Sequence, residues 1–428
     1  MKIVMFTNTY LPHVGGVARS VSTYEEEFCR RGHEVRIVAP QFEGAEESTG
    51  RVLRTPAIQH FNGSDFSVRI PVPGLLADFV DDFGPDLLHS HHPFLLGDSA
   101  LRLAWSRRLP LVFTYHTMYE RYTHYVPLNS DALKRFAIQM STDYCNLCAH
   151  VIAPSESVAR LLKERGVTTP ITAIPTGIDV QFFNSGDRSR ARQKLKIDPH
   201  AMVIGHVGRL APEKNLKYLA RAVGRYLADH PNAIFLVVGA GESEESIDRL
   251  VRGLARPEQL VMAGCLTGQD LADAYTAIDV FAFSSQSETQ GMVLAEAMAA
   301  GAAAVALDAP GAREIVHNKN GRLLPAGASE EEFARALAEV SDDARLLVSY
   351  RTEARQTARQ FSIENCVDRM LEVYEGLVRD NVHGRTSDPG PWDRLLGRLE
   401  IEWNLLVEKT SALVAAATET EATKSRLN

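Results

Sequence analysis

Met202-Val-Ile-Gly-His-Val-Gly-Arg-Leu-Ala-Pro-Glu-Lys-Asn215 opens the stretch that decides the fold. Residues 202–207 read as a buried strand, 216–229 as a helix, and 233–239 (Ala-Ile-Phe-Leu-Val-Val-Gly) as a second strand. Short apolar runs separated by a helix are the pattern of parallel strands covered on both faces. The alternation continues downstream. Residues 260–263, 280–283, 302–307 and 322–324 read as strands, with helices over 291–300, 330–340, 344–357 and 364–378.

Upstream the same pattern holds. Residues 2–7, 34–39, 86–91, 111–115, 151–153 and 171–174 read as strands. Helices are expected over 16–31, 95–106 and 129–148, and from the N-cap Ser155 to Arg165. Two alternating series predict an α/β protein with two Rossmann-like parallel-sheet domains. The first is expected over residues 1–180 and the second over 200–363. The polar stretch 179–200, centred on Asn184-Ser-Gly-Asp-Arg-Ser-Arg190, reads as the connection. A helix over 364–379 follows. Beyond a Pro/Gly/Ser/Asp linker, Trp392, Leu395, Leu396, Leu399, Trp403, Leu406 and Val407 recur at helical spacing. They predict an amphipathic C-terminal helix over 392–416. Ligands of open parallel sheets bind beyond the carboxyl ends of the strands. Two such sheets facing each other across a cleft would put the chemistry on the loops that line it.

The chain has 428 residues and a net charge of −8, which argues against a general nucleic-acid binder. Cys145 and Cys148 form a Cys-x-x-Cys inside a helical stretch rather than at a helix start, so they read as packing residues in a reducing cytosol. The opening Met1-Lys-Ile-Val-Met-Phe-Thr-Asn8 leads into a glycine turn and reads as a strand, not a signal core. No apolar run is long enough to span a bilayer. A cytoplasmic protein is expected.

Several loops carry residues suited to chemistry. Gly15 and Gly16 follow the first strand at a helix start, where backbone can approach an anion. Arg209 and Lys214 share a strand-end loop that can aim both at one diphosphate. Ser285-Gln-Ser-Glu-Thr-Gln-Gly-Met-Val-Leu-Ala-Glu296 runs from a strand into a helix. Glu288 precedes that helix, and the backbone N–H groups of Gly291, Met292 and Val293 lie at its start, able to hold a phosphate or sugar hydroxyls. Glu296 sits in an otherwise apolar stretch, where a carboxylate needs a partner such as a ribose diol or a helical salt bridge. His89, His91, His92 and His116 cluster at strand ends in the first half. With Glu120 they offer ligand types for a metal, but they lie consecutively or alternately and no Asp-x-Asp accompanies them, so no metal is expected.

Glu288-x7-Glu296, Gly208-Arg209 with Lys214, and Gly15-Gly16 after an N-terminal strand resemble glycosyltransferase family 4, retaining enzymes of the GT-B fold. The resemblance covers about residues 1–378. The segments His89-Ser-His-His-Pro-Phe-Leu-Leu-Gly97 and Phe113-Thr-Tyr-His-Thr-Met-Tyr-Glu-Arg-Tyr-Thr-His-Tyr125 are most similar to bacterial diacylglycerol glucosyltransferases. The resemblance implies that Arg209 and Lys214 hold the diphosphate of a nucleotide sugar and Glu296 takes the ribose hydroxyls. It places Glu288 at the donor sugar, with Gln290, Gly291, Met292 and Val293 contacting sugar and phosphate. It also implies that Gly264 and Leu266 flank the base, Gly15 and Gly16 approach the diphosphate, and His116 lies near the reacting sugar. His91, His92, Tyr119 and Tyr122 would face the acceptor. The implied reaction moves a hexose, glucose from UDP-glucose, to a lipid such as diacylglycerol, with no cofactor besides the nucleotide sugar. The basic-aromatic clusters Trp105-Ser-Arg-Arg108 and Lys134-Arg-Phe136 would then meet the inner face of the cell membrane. Three rivals stand beside this: a family 4 transferase using GDP-mannose or UDP-GlcNAc with a non-lipid or phosphoinositol acceptor, a metal-dependent hydrolase, and a non-catalytic nucleotide-sugar binder.

Overall fold

The computed structural model describes residues 1–12, 15–42, 45, 50–58, 68–69, 75–118, 131–286 and 288–384. The chain forms two compact units. Unit one comprises Met1–Ile174 and the chain from Val367 onward; unit two is Pro175–Cys366.

Unit one contains β1 (Lys2–Phe6), β2 (Glu34–Pro40), β3 (Val52–Thr55), β4 (Ala57–Ile58), β5 (Val68–Arg69), β6 (Leu87–Ser90), β7 (Leu111–Thr114), β8 (His150–Ala153) and β9 (Ile171–Ala173). Seven of these make one parallel sheet in the order β3-β2-β1-β6-β7-β8-β9, while β4 and β5 form a separate antiparallel pair. The order reverses direction between β1 and β6. That is a topological switch point, where the loops after two neighbouring strands diverge and leave a crevice.

Unit two contains β10 (Met202–Val207), β11 (Ala233–Val238), β12 (Leu260–Met262), β13 (Val280–Phe283), β14 (Ala303–Leu307) and β15 (Gly321–Leu324). They form a parallel sheet in the order β12-β11-β10-β13-β14-β15, with its switch point between β10 and β13. The unbroken apolar runs have a direct cause. Val203, Val207, Phe281 and Phe283 enter one core layer, while Ile204, Val280 and Ala282 enter the other. Both faces are covered, so neither parity of position can be polar. Each large apolar side chain buried this way stabilises the unit by about 1.5–3 kcal/mol.

The stretch 179–200, expected as the connection, is not an open linker but a folded part of unit two. It forms two short helices, Val180–Asn184 and Arg188–Lys194, capped by Asp179 and Asp187, whose carboxylates accept from the backbone N–H of Phe182 (2.8 Å) and Arg190 (2.9 Å). Phe183 and Ala191 enter the core of unit two. Arg192, 2 % exposed, donates to Asp279 Oδ2 at 2.9 Å and to the Ala201 carbonyl at 2.9 Å. Asp279 also accepts from Arg188 (2.8 Å), Arg351 (3.3 Å) and the Val203 backbone N–H (3.0 Å), tying the starts of β10 and β13. The polar residues that resemble a linker are caps and a buried ion-pair network. The boundary between units accordingly falls at Ile174/Pro175 rather than over 180–200.

The helices Leu75–Phe83, Glu244–Arg252 and Gly268–Ala277 and the strand β3 have no counterpart in the sequence reading. Cys145 and Cys148 lie at the end of the helix Asp131–Leu147 or just past it, both buried, and burial pushes the Cys145 thiol up to about 12. The final helix, Ile363–Gly384, extends beyond its expected end. From Val367 it belongs to unit one. Tyr374 is buried there against Phe28, and Asn381 Nδ2 donates to the Arg108 carbonyl at 3.0 Å. Residues 392–416, the expected amphipathic helix, lie outside the described residues. Among the described residues no helix is long and apolar enough to cross a membrane.

Candidate active site

In unit two the two loops at the switch point hold Arg209, Lys214, Glu288, Gln290 and Gly291. The loop after β10 makes a tight turn over Pro212–Lys214 and enters the helix Leu216–Asp229 through Asn215, at φ +58°. The loop after β13 begins with Ser284. Its hydroxyl lies 3.1 Å from the carbonyls of both Lys214 and Asn215, and Asn215 Nδ2 donates back to the Ser284 carbonyl at 3.4 Å. These bonds clamp one loop to the other. Lys214 Nζ forms an ion pair with Glu288 Oε1, each side chain 21 % exposed. Arg209 does not join this pair. Its guanidinium donates to Glu213 Oε1 at 2.5 Å, one turn away on the same loop, and its side chain is 58 % exposed.

The backbone beyond Glu288 is shaped by two glycines. Gly291 (φ +69°) precedes the helix Met292–Ala299 and offers no side-chain cap to its first-turn N–H groups, of which Leu294 N–H donates to the Gly291 carbonyl at 2.9 Å. Gly311 (φ +84°) packs on it; a Cβ at 311 would lie 2.8 Å from the Gln290 carbonyl carbon. Gln290 Oε1 accepts from the Thr176 backbone N–H at 2.8 Å. Glu296 lies one helical turn beyond Met292, and its Oε2 accepts from the Tyr275 hydroxyl at 2.5 Å. This supplies the partner that a carboxylate in an apolar helix requires. Gly264 (φ +66°) follows β12, and Leu266 packs half-buried against the core.

The sequence reading missed Ser284, Tyr275, Gly311 and His206. His206 lies inside β10, where its only signal is a polar interruption of an apolar run. Its Nδ1 lies 3.2 Å from the Ala282 carbonyl, to which it can only donate, while its buried Nε2 has no hydrogen-bond partner among the described residues. Burial, with a smaller contribution from Lys214, lowers its pKa to about 4, so the ring is neutral.

In unit one the histidines gather at the switch-point ends of β6 and β7. His89 Nε2 lies 2.7 Å from Thr114 Oγ1, and its Nδ1 bonds the Tyr374 hydroxyl. The Asn8 backbone N–H donates to His92 Nδ1 at 3.0 Å, which leaves the His92 proton on Nε2. His91 Nδ1 lies 2.9 Å from His116 Nε2. Burial lowers the pKa of His89, His92 and His116 to about 3, and that of His91 well below its ordinary value. All four are neutral imidazoles near pH 7. Among the described residues no three His, Cys, Asp or Glu side chains are placed to hold a metal. His91 is 1 % exposed and faces His116, so it does not itself present a surface to an acceptor.

Gly15 adopts ordinary extended backbone (φ −161°) as N-cap of the helix Gly16–Arg30, and a Cβ on Gly16 would meet nothing within 4 Å. Among the described residues nothing requires glycine at Gly16. Arg107 of the first basic-aromatic cluster is paired with Asp81, which neutralises part of that cluster. Lys134 and Arg135 lie on the helix Asp131–Leu147. Tyr119, Glu120 and Tyr122 lie outside the described residues.

A lysine beside an uncapped helix start, at the crevice of a Rossmann-ordered sheet, suits the phosphates of an activated donor. With the second Rossmann-like sheet of unit one, this defines a glycosyltransferase of the GT-B fold. The solved structure of sucrose-phosphate synthase from Thermosynechococcus elongatus shares that fold at a TM-score of 0.68 and 18% identity, over 89% of this chain and 99% of that one. Residues 14–182 match the domain described as Glycosyltransferase Family 4, and residues 187–360 the domain described as Glycosyl transferases group 1. The chain belongs to glycosyltransferase family 4. It is 27% identical to the alpha-monoglucosyldiacylglycerol synthase of Streptococcus pneumoniae, over 79% of this chain and 78% of the relative. It is 27% identical to the GDP-mannose-dependent alpha-mannosyltransferase of Corynebacterium glutamicum, over 81% and 82%. It is 30% identical to the D-inositol 3-phosphate glycosyltransferase of Rhodococcus erythropolis, over 88% and 90%.

Proposed function

We propose that this glycosyltransferase is a retaining hexosyltransferase that moves glucose from UDP-glucose to a lipid acceptor such as diacylglycerol. The observation that carries the donor site is the Lys214–Glu288 pair beside the uncapped start of the helix Met292–Ala299. The lipid acceptor is supported by the similarity to the alpha-monoglucosyldiacylglycerol synthase. In this reading Lys214 and Arg209 bind the diphosphate, Arg209 leaving Glu213 to do so. Glu296, oriented by Tyr275, takes the ribose hydroxyls, and Gly264 and Leu266 flank the base. Glu288 and Gln290, with the backbone of Gly291, Met292 and Val293, hold the sugar. Gly15 and Gly16 act at the diphosphate and His116 at the sugar. His92, Tyr119 and Tyr122 serve the acceptor, and peripheral contact with the inner membrane face brings the lipid within reach.

The chemistry follows from charge. Breaking the sugar–phosphate bond sends the electron pair to the leaving diphosphate, and a fixed lysine stabilises that charge, by roughly 3 kcal/mol for one well-placed group. The acceptor oxygen bonds to the sugar carbon on the face the phosphate leaves, and the departing phosphate oxygen takes its proton. Covalent attack by Glu288 is the competing route to the same stereochemistry. No cofactor besides the nucleotide sugar enters the scheme.

A second reading takes GDP-mannose or UDP-GlcNAc with a non-lipid or phosphoinositol acceptor, supported by one relative named for GDP-mannose and another named for D-inositol 3-phosphate. A thermal-shift screen with UDP-, GDP- and ADP-sugars separates the two. A ligand at a hundred times its Kd stabilises by about 2.7 kcal/mol, a shift of several degrees. Stabilisation by UDP-glucose, followed by α-glucosylated lipid on diacylglycerol vesicles, is the expected result. Stabilisation by GDP-mannose alone would transfer the assignment to the second reading.

A further inference from the structure

His91 and His116 share one short contact, 2.9 Å from Nδ1 to Nε2, and both rings are buried. Each neutral imidazole carries one N–H, so one ring donates across this contact and the other accepts. If His116 donates, the proton of His91 must sit on Nε2. That atom is buried and has no hydrogen-bond partner among the described residues, so the arrangement leaves an orphaned N–H. If His91 donates, its Nε2 is a bare lone pair instead. Orphaned buried N–H groups are the rarer and costlier case. The second arrangement therefore prevails, and it puts the proton of His116 on Nδ1. That nitrogen also has no partner among the described residues, but it is not among the fully enclosed unpaired atoms, and His116 is 9 % exposed against 1 % for His91, so an N–H there can meet water or a ligand where one on His91 Nε2 cannot.

We propose that His91 is a positioning residue: by donating from Nδ1 to His116 Nε2, it holds His116 in the Nδ1–H form, so that the transferred sugar meets a neutral hydrogen-bond donor. The consequence for the sugar rests on the placement of His116 given above; the proton assignment does not. Neither ring takes a second proton near neutral pH, because burial opposes the charge on both. The ligand atom opposite His116 must then be an acceptor, a hydroxyl or phosphate oxygen.

The test uses the full chain with 15N-labelled histidine. Long-range 15N–1H spectra should show His116 protonated at Nδ1. His91→Phe should move the proton of His116 to Nε2, wholly or in part, and lower kcat roughly 5- to 10-fold, the effect of one neutral hydrogen bond, with the KM for donor little changed. His91→Asn, whose amide N–H can stand where Nδ1–H stood, should restore both. A wild-type spectrum with His116 protonated at Nε2 overturns the proposal, and needs no variant to fold. So does an Asn variant as impaired as the Phe variant. Full turnover in His116→Phe would instead remove His116 from the sugar, while leaving the tautomer spectra to decide the pairing.

Discussion

Glu288→Gln should move binding and turnover in opposite directions. Lys214 is engaged by Glu288, and a diphosphate must compete for it. Two unit charges 4 Å apart attract by about 4 kcal/mol at the effective dielectric of a protein surface. Both side chains are one-fifth exposed, so solvent screening and side-chain ordering reduce the net value to about 1 kcal/mol. Glutamine keeps the shape and removes the competitor, together with its repulsion of the phosphates. The Kd for UDP should therefore fall about 5-fold, equivalent to roughly 1 kcal/mol. If Glu288 serves the sugar in the transition state, kcat should fall on the order of 100-fold. Isothermal titration with UDP and steady-state turnover on diacylglycerol vesicles measure the two effects, with Lys214→Ala as the control that weakens UDP binding. A Glu288→Gln protein that binds UDP more weakly than wild type would refute the reasoning. Glu288 would then be holding Lys214 in place for the phosphate rather than occupying it.

The histidine cluster predicts acid sensitivity in unit one. His89, His92 and His116 have folded pKa values near 3, below the unfolded value, so the unfolded state binds more protons as pH falls from about 6.5 towards 3. Stability is present above that window and lost through it, on the order of 1–2 kcal/mol per histidine by pH 5. Urea unfolding followed by tryptophan fluorescence should show a lower midpoint at pH 5 than at pH 7; equal midpoints contradict the buried, neutral assignment. Gly311→Ala forces a Cβ to within 2.8 Å of the Gln290 carbonyl carbon at φ +84°. It should cost about 2 kcal/mol or more and raise the donor KM by displacing Gln290 and Gly291. Unchanged melting temperature and KM would show that the two loops do not need this contact.

The sequence was most informative where the physics is local. Runs such as Val280–Phe283 are apolar throughout because both faces of a parallel strand are covered, and that requirement is written residue by residue. The strand ends were legible for the same reason, and with them the loops bearing Lys214, Glu288 and Gly291. The stretch 179–200 misled because a capped helix with an outward polar face and a solvated linker share a composition. Only burial of Phe183, Ala191 and Arg192 tells them apart.

Which charge meets which was beyond local reading. Arg209 and Lys214 look equivalent on one loop, yet one turns to Glu213 and the other to Glu288, 74 positions away. Tyr275 with Glu296, Tyr374 with His89 and His91 with His116 are likewise pairings made by neighbouring elements. Periodicity along the chain determined that two parallel sheets would form and where their loops would lie. Strand order and packing across each sheet decided the partners, because a hydrogen bond or ion pair depends on distances in space that spacing in the chain does not set.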